Sequence, residues 1–200
     1  MISTEEALNR LRKGNERFVS DSSIFNNALS HKSRRHSLAE DQDPFAIILG
    51  CSDSRVSSEI IFDQGLGDLF VVRVAGNIVA PSQIGSIEFA VERFGARLVV
   101  VMGHSRCGAI QATLDSLRCP SENQSKNLRS IVDRIRPSLE LLDIDQDPEI
   151  TLQQAVRANI HSSVSQLQHE SRILEQLIKK GDLLILGAEY SLDTGIVNFL

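Results

Sequence analysis

The chain has 200 residues, of which 42% are hydrophobic, and its formal net charge is -5. This length suits one domain with a hydrophobic core, and the acidic balance gives no electrostatic reason to expect nucleic-acid binding. No apolar segment is long enough to suggest a signal peptide or a membrane span, so we expect a cytoplasmic protein. The three cysteines are an odd number, which does not suggest a disulfide framework.

The first predicted element is an N-terminal helix. The stretch "STEE" at 3–6 supplies an N-cap hydroxyl followed by glutamates, and apolar residues then recur at helical spacing. Residues 20–43 are polar, and their one compact basic run, "HKSRRH" at 31–36, is typical of a solvated stretch. We therefore predict that residues 1–43 form a helix and an extended or irregular arm, placed before an α/β core at 44–200.

Four short aliphatic runs predict β-strands, at 45–50, 69–75, 97–103 and 182–190. None of them alternates clearly with polar residues, which is typical of strands covered on both faces of a parallel sheet. Helical patterns separate the runs, including a long one over 151–180. This alternation predicts a single α/β domain with a central, mostly parallel sheet flanked by helices.

Two of the predicted strands end in polar clusters, "CSDSR" at 51–55 and "HSRCG" at 104–108. Ligands of such sheets bind outside the carboxyl ends of the strands, so we expect the two clusters to meet. Cys51, His104 and Cys107 would then offer zinc two sulfurs and one nitrogen, and three protein ligands plus water is the catalytic pattern. In the alternative interpretation, both cysteines are buried small hydrophobes and the histidine is an ordinary loop residue.

Asp53 and Arg55 lie two residues apart in a predicted extended loop, so their side chains point the same way. A guanidinium offers a planar fork to a carboxylate, and Arg55 would hold Asp53 ionised and away from a metal. Without that partner, Asp53 could become a fourth metal ligand. The alternative interpretation is an ordinary loop salt bridge. Cys119 has no ligand partner near it in sequence and is interpreted as a structural thiol.

The strings "CSDSR", "RVAGN" at 73–77 and "GHSRCGA" at 103–109 closely resemble the β-class carbonic anhydrases in their order and spacing. The resemblance continues to the final "GAEYSLDTGIVNFL". It implies a carbonate dehydratase that hydrates CO2 reversibly to bicarbonate and a proton. It also implies one zinc ion per chain and a homodimer, or a dimer-based tetramer, with active sites at the subunit interface. The zinc ligands that it implies are Cys51, His104 and Cys107. The dyad that it implies beside them is formed by Asp53 and Arg55.

In the plant-type branch of that family, a glutamine and a phenylalanine reach the substrate pocket from the partner subunit. The resemblance places these two residues at Gln42 and Phe70. Val74 and Ala75 would complete an aliphatic wall for CO2, although plant-type members carry valine at the position of Ala75. The backbone N–H of Gly108, at a predicted helix start, would help to hold the bicarbonate anion.

A second branch of the family is inhibited by bicarbonate, which binds in a pocket of tryptophan, arginine and tyrosine. Arg73 and Tyr190 fall near two of these positions, but the tryptophan position falls near Ile48 and the chain contains no tryptophan. We therefore predict an open site, in which Asp53 pairs with Arg55 and leaves the fourth position on zinc to water or a small anion.

Two other functions stay open from the sequence. Carbon disulfide and carbonyl sulfide hydrolases share this fold and zinc motif, and a regulatory or storage module would hold zinc without turnover. The intact pair of Asp53 and Arg55 argues against a storage module, which needs no such dyad. The remaining histidines are interpreted as surface residues, with proton transfer as the weaker alternative: His31, His36, His161 and His169.

Overall fold

The computed structural model describes residues 2–23, 32–119, 125–144 and 146–200. The strands are β1 (Ala46–Gly50), β2 (Leu69–Arg73), β3 (Leu98–His104), β4 (Leu184–Tyr190) and β5 (Val197–Phe199). The helices are α1 (Thr4–Val19), α2 (Lys32–Ser37), α3 (Ser58–Ile61), α4 (Pro81–Phe94), α5 (Gly108–Arg118), α6 (Lys126–Leu139), α7 (Pro148–His169) and α8 (Arg172–Lys179). A short 3₁₀ helix covers Ala75–Asn77. His31 and the adjoining part of the predicted arm lie outside the described residues.

The strands form one sheet in the order β2-β1-β3-β4-β5. Strands β1 to β4 are parallel, and β5 is antiparallel to β4. The predicted α/β architecture with a mostly parallel sheet is therefore confirmed, and the short antiparallel β5 is an addition that the sequence pattern does not predict. Gly50 of β1 is in register with Arg73 of β2 and Met102 of β3, so β1 and β2 end together and β3 ends two residues later at the same edge of the sheet.

Strands β1 and β3 are buried along their whole length. Their alternate residues point to opposite faces: Ile47 and Val99 join the apolar cluster under α4 to α8, whereas Ile48 and Val100 join the cluster under α1 and α3. Burying one such side chain contributes about 1.5–3 kcal/mol to folding, so both faces favour aliphatic residues. This explains why the strand sequences do not alternate with polar residues.

Helix α1 begins at the predicted N-terminal cap. Ser3 and Glu6 form a capping box, in which each side chain accepts a hydrogen bond from the other residue's backbone N–H. Gly14 allows the helix to lie directly on the chain that follows α3, because a Cβ at this position would collide with the carbonyl oxygen of Phe62. No helix within the described ranges combines the length and the apolar character that a membrane crossing requires.

Two helical segments differ from the sequence pattern. The predicted arm contains α2, whose Arg34 donates a 2.9 Å hydrogen bond to Asp68 just before β2. This long-range ion pair has no local sequence signal. The single helix predicted over 151–180 is divided into α7 and α8, because the Ser171 hydroxyl caps a new helix by accepting the Leu174 N–H.

Helix α7 packs against two glycines of the sheet. Gly103 of β3 and Gly187 of β4 both face Ile160 of α7. A Cβ at Gly103 would lie 2.7 Å from the Ile160 side chain, and a Cβ at Gly187 would lie 2.6 Å from it. Since real Cβ atoms do not approach so closely, these glycines set the depth of α7 over β3 and β4.

Candidate metal centre

Three side chains meet where β1 and β3 end at the same edge of the sheet. Cys51 directly follows β1, His104 is the last residue of β3, and Cys107 is the N-cap residue of α5. Between the last two, Arg106 adopts a left-handed backbone conformation with φ of 54°, which turns the chain from the strand into the helix. The turn brings Cys107 back towards His104, as the three-residue spacing predicts.

The potential ligand atoms of Cys51, His104 and Cys107 all lie within 4.8 Å of one another. All three residues are buried, with 4%, 0% and 1% of their surface exposed. Within the part of the chain that the structure describes, this is the one group of three histidine, cysteine or acidic residues with such spacing. Two sulfurs and one imidazole nitrogen form a donor set that suits zinc.

The imidazole of His104 is oriented for ligation through Nε2. Its Nδ1 lies 2.9 Å from the carbonyl oxygen of Ser105, so the neutral ring donates its proton there. Nε2 is then the nitrogen with a lone pair, and it has no hydrogen-bond partner among the described residues although it is buried. A buried polar nitrogen without a partner is unfavourable, and a metal ion at the cluster would satisfy it. The residues therefore fit the zinc ion that the sequence predicts.

The two thiols are electrostatically linked. The Cys107 thiol donates a hydrogen bond to Cys51, which lowers the pKa of Cys51 to about 4. The same hydrogen bond, together with burial, raises the pKa of Cys107. This contact therefore favours the ionised form of Cys51 and the protonated form of Cys107. A divalent cation would favour the doubly ionised pair, because metal ligands must be deprotonated. The backbone N–H of Gly76 also donates to Cys51 Sγ at 3.4 Å.

The predicted pair of Asp53 and Arg55 forms beside the cluster. Arg55 Nε donates to Asp53 Oδ1 at 2.9 Å, and Arg55 Nη2 donates to Oδ2 at 2.7 Å. The guanidinium holds the pKa of the Asp53 carboxyl well below its usual range, so the side chain is ionised. Asp53 Oδ2 lies 4.0 Å from His104 Nε2, which places a carboxylate at the edge of the ligand set. This is the arrangement expected for an open site.

Arg73 contacts the loop that carries the cluster, which the sequence did not suggest. Its Nε donates to the carbonyl oxygen of Cys51 at 3.0 Å, and its Nη2 donates to the carbonyl oxygen of Asp53 at 2.6 Å. The guanidinium therefore bonds the backbone of this loop. Ile48 and Tyr190, which fall near positions of the bicarbonate pocket of the second branch, belong to the apolar cluster on the α1 and α3 face of the sheet.

Three of the predicted pocket residues lie next to the cluster in the fold. Val74 follows β2, and its N–H donates to the carbonyl oxygen of Gly50 at 3.1 Å. Ala75 begins the 3₁₀ helix whose next residue donates to Cys51. Gly108 begins α5 directly after Cys107, and a Cβ there would meet no atom within 4 Å, so its backbone faces open space.

The other two predicted pocket residues lie elsewhere on the same chain. Phe70 is in register with Ile47, well before the end of β1, and its ring packs 6.0 Å from that of Phe94. Gln42 lines a separate surface cavity of about 530 Å³ together with Arg93 and Phe94. One chain therefore does not bring Gln42 or Phe70 to its own cluster. The sequence expectation that they serve a partner's site stays a prediction.

The histidines outside the cluster that fall in the described residues, His36, His161 and His169, are exposed at the surface. His169 Nδ1 bonds the carbonyl oxygen of Ser165 within α7. Their exposure agrees with the simpler interpretation as surface residues. Cys119, at the end of α5, is likewise exposed and is not part of the cluster.

Comparison with known proteins identifies the family. The carbonic anhydrase family model matches residues 46–197. "Carbonic anhydrase 2" of Mycobacterium tuberculosis is 39% identical over 186 residues, covering 92% of this chain and 87% of that protein. The carbonic anhydrase of Mycolicibacterium smegmatis is 40% identical over 194 residues, covering 94% of this chain and 88% of that protein. The solved structure of the β-carbonic anhydrase CcaA matches with a TM-score of 0.73 and 27% identity, over 98% of this chain and 92% of that one. The chain belongs to the β-carbonic anhydrase family.

Proposed function

We propose that the protein catalyses the reversible, zinc-dependent hydration of CO2 to bicarbonate and a proton. The observation that supports this most directly is the buried cluster of Cys51, His104 and Cys107 with an ionised Asp53 at its edge. Membership of the family supports the same reaction. The three cluster residues would hold one zinc ion per chain, with Asp53 kept off it by Arg55.

When bound, zinc supplies a Lewis acid that lowers the pKa of a coordinated water to about 7, a value measured in carbonic anhydrases of a different, three-histidine class. Asp53 accepts a hydrogen bond from the reacting water and so fixes the direction of its lone pair. An ionised carboxylate is needed for this role, and the fork of Arg55 keeps Asp53 ionised and turned to one orientation. The dyad therefore orients the nucleophile.

The substrate is small, apolar and uncharged, whereas the product is an anion. Val74 and Ala75 offer an aliphatic wall to CO2, beside the loop that carries Cys51. The N–H of Gly108 lies at the N-terminus of α5, where the helix dipole favours negative charge. Gly108 would therefore stabilise bicarbonate, and one proton must leave for each CO2 that is hydrated.

The active form that we propose is a homodimer, alone or paired into a tetramer. β2 is an edge strand of the sheet, and its residues Phe70 to Val72 are only half-buried. Beside it, Phe89 of α4 is 53% exposed and contacts the Phe70 and Phe94 rings. An exposed aromatic cluster next to an open strand edge is suited to contact with a second copy. That contact would bring Phe70 and Gln42 to the partner's pocket.

We also propose that the protein acts in the cytoplasm. All three cysteines are free, and Cys51 and Cys107 must stay reduced to act as ligands. Reducing compartments maintain such thiols, whereas oxidising ones favour disulfides. Fractionation of the source cells, with detection of the untagged protein, would test this placement.

Metal analysis combined with stopped-flow CO2 hydration tests the proposed reaction. We expect stoichiometric zinc and rapid CO2 hydration by the purified protein. The same preparation should be assayed with carbon disulfide and carbonyl sulfide. Faster turnover of either sulfur substrate than of CO2 would assign a different hydrolase activity. Stoichiometric zinc with no turnover of any of the three would instead indicate a regulatory or storage module.

A further inference from the structure

The sulfur of Cys51 receives a hydrogen bond from a turn that is distant in sequence. The donor is the backbone N–H of Gly76, 3.4 Å from Sγ. Gly76 has φ of 70°, and Asn77 follows with φ of 43°, so two consecutive residues occupy the left-handed region. Asparagine adopts this conformation more readily than most residues other than glycine, and contacts with the surroundings can hold it in place.

Two side chains of α7 hold this turn. Asn159 Nδ2 donates to the carbonyl oxygen of Gly76 at 2.8 Å, and Ser163 Oγ donates to the carbonyl oxygen of Asn77 at 3.1 Å. Asn159 and Ser163 are four residues apart, so they lie on the same face of the helix, and both are buried. The turn is thus fixed by α7 through its two carbonyl groups.

The position of α7 makes these contacts possible. Ile160, next to Asn159, packs against Gly103 and Gly187 at distances that exclude a Cβ from either glycine. A Cβ on Gly76 itself would also lie 2.8 Å from Ile135 of α6 and 3.2 Å from the Cβ of Ala109. The turn is therefore packed closely against α5 and α6, and α7 is packed closely against the sheet.

We propose that Asn159 and Ser163 are positioning residues that control the electron density on the Cys51 thiolate, by aiming the Gly76 N–H at its sulfur. An N–H donor draws charge from a thiolate and leaves a bound metal more electrophilic. Such outer-shell hydrogen bonds orient metal ligands and tune the metal. This inference rests on the proposed zinc site, and it adds to that site two residues more than 100 positions away from Cys51 in sequence.

The test uses two variants, Asn159→Leu and Ser163→Ala, in the full-length protein. Asn159→Leu leaves the Gly76 carbonyl without its buried donor, so the turn should relax and the N–H should move away from Sγ. Because the relaxed turn no longer orients the Cys51 sulfur, we expect zinc affinity, measured by chelator competition, to fall about 10- to 100-fold, the usual range for outer-shell changes. Ser163→Ala should have a smaller effect of the same sign.

A spectroscopic readout separates positioning from stability. With Co²⁺ in place of zinc, the sulfur-to-cobalt charge-transfer band reports the energy of the thiolate lone pairs. Loss of the N–H donor raises that energy, so the band should shift to longer wavelength in both variants. Unfolding or loose packing alone would weaken the band without such a shift.

Asn15→Leu is the matched control. Asn15 is also a buried asparagine whose Nδ2 donates to a glycine carbonyl, that of Gly195, at 2.8 Å, but it lies on α1. This variant should lose stability and keep the cobalt band of the wild type. If Asn159→Leu behaves like Asn15→Leu, the proposal is overturned. If Asn159→Leu does not fold, an unshifted band in Ser163→Ala overturns it equally.

Neither readout uses CO2, so the two proposals can fail separately. A wild-type protein that binds cobalt and shows the expected band shifts in the variants, yet does not hydrate CO2, would contradict the proposed reaction and leave the positioning role intact. Active enzyme with unshifted bands in both variants would contradict only the positioning role. A wild-type chain that takes up neither metal would overturn both.

Discussion

Two regions of the molecule differ in how complete they are within one chain. They are the carboxyl ends of β1 and β3, and the outer edge of β2. At the first region, Cys51, His104 and Cys107 are buried and their ligand atoms converge within 4.8 Å. At the second, β1 is the one strand that pairs with β2 among the described residues, and Phe89 beside it is 53% exposed. The first region is complete within the chain, whereas the second presents exposed apolar surface.

This difference suggests that zinc binding is a property of the single chain, whereas turnover needs the dimer. Zinc binding depends on side chains that a single chain already brings together, so it should be present in any folded chain. The substrate pocket, in contrast, would need Gln42 and Phe70 from a second copy. Variants at the metal ligands should therefore lose both zinc and activity, whereas variants at the β2 edge should lose activity and keep zinc.

The largest expected effect comes from removing a ligand. Cys107→Ser should lose zinc and fall to the uncatalysed rate of CO2 hydration, because two remaining ligands cannot complete the site. Zinc content after gel filtration and stopped-flow assays measure the two losses. Cys119→Ser, at the exposed cysteine, is the control and should keep both. Stoichiometric zinc in Cys107→Ser would show that the ligand assignment is wrong.

The next effect is loss of turnover with the metal retained. Asp53→Asn should keep zinc and lose about 100-fold or more in kcat, the scale for one positioned polar group at a reacting centre. The amide keeps the shape of the side chain, but it has one acceptor oxygen and a donor in place of the carboxylate that Arg55 orients. Turnover close to that of the wild type would mean that the pair is only a loop salt bridge.

The third prediction concerns the β2 edge. Phe89→Asp should weaken the dimer about 30-fold or more, which corresponds to the roughly 2 kcal/mol that a buried aromatic contributes at an interface centre. Light scattering at decreasing concentration should show monomers that retain zinc but have lost activity. Leu141→Asp is the control, since Leu141 is 99% exposed and lies outside the aromatic cluster. An active monomer would refute the proposal that turnover needs the dimer.

The smallest effect is expected at the pocket itself. Gln42→Leu removes one neutral hydrogen bond to substrate or product, worth about 1 kcal/mol, so kcat/KM should fall about fivefold. Zinc content and dimer mass should not change. A change in zinc content would place Gln42 at the metal centre, and an unchanged kcat/KM would remove it from the pocket.

The sequence predicts the metal centre better than it predicts the residues that support it. Uninterrupted aliphatic runs require strands with both faces covered, and parallel strands end together, so Cys51 and His104 had to approach each other. The two-residue spacing of Asp53 and Arg55 likewise determines their pairing. These inferences depend on local patterns and on one general rule of sheet topology.

The supporting contacts depend on how distant helices pack. Nothing near Asn159 marks it as a partner of Gly76, because the contact depends on the depth of α7, which Gly103 and Gly187 set. The same holds for Arg73, whose guanidinium bonds carbonyl groups 20 and 22 residues away. Such contacts are products of the tertiary arrangement and leave no periodic or motif signal.

A crystal structure of the zinc-loaded protein near neutral pH would show directly whether the metal centre and its open state are as proposed. We expect zinc bonded to Cys51 and Cys107 at about 2.3 Å and to His104 at about 2.0–2.1 Å. Water or a small anion should complete the tetrahedron, and Asp53 should remain paired with Arg55. An Asp53 oxygen at about 2.0–2.2 Å from zinc, with Arg55 released, would contradict the open site. Zinc bound by other residues would contradict the metal centre itself.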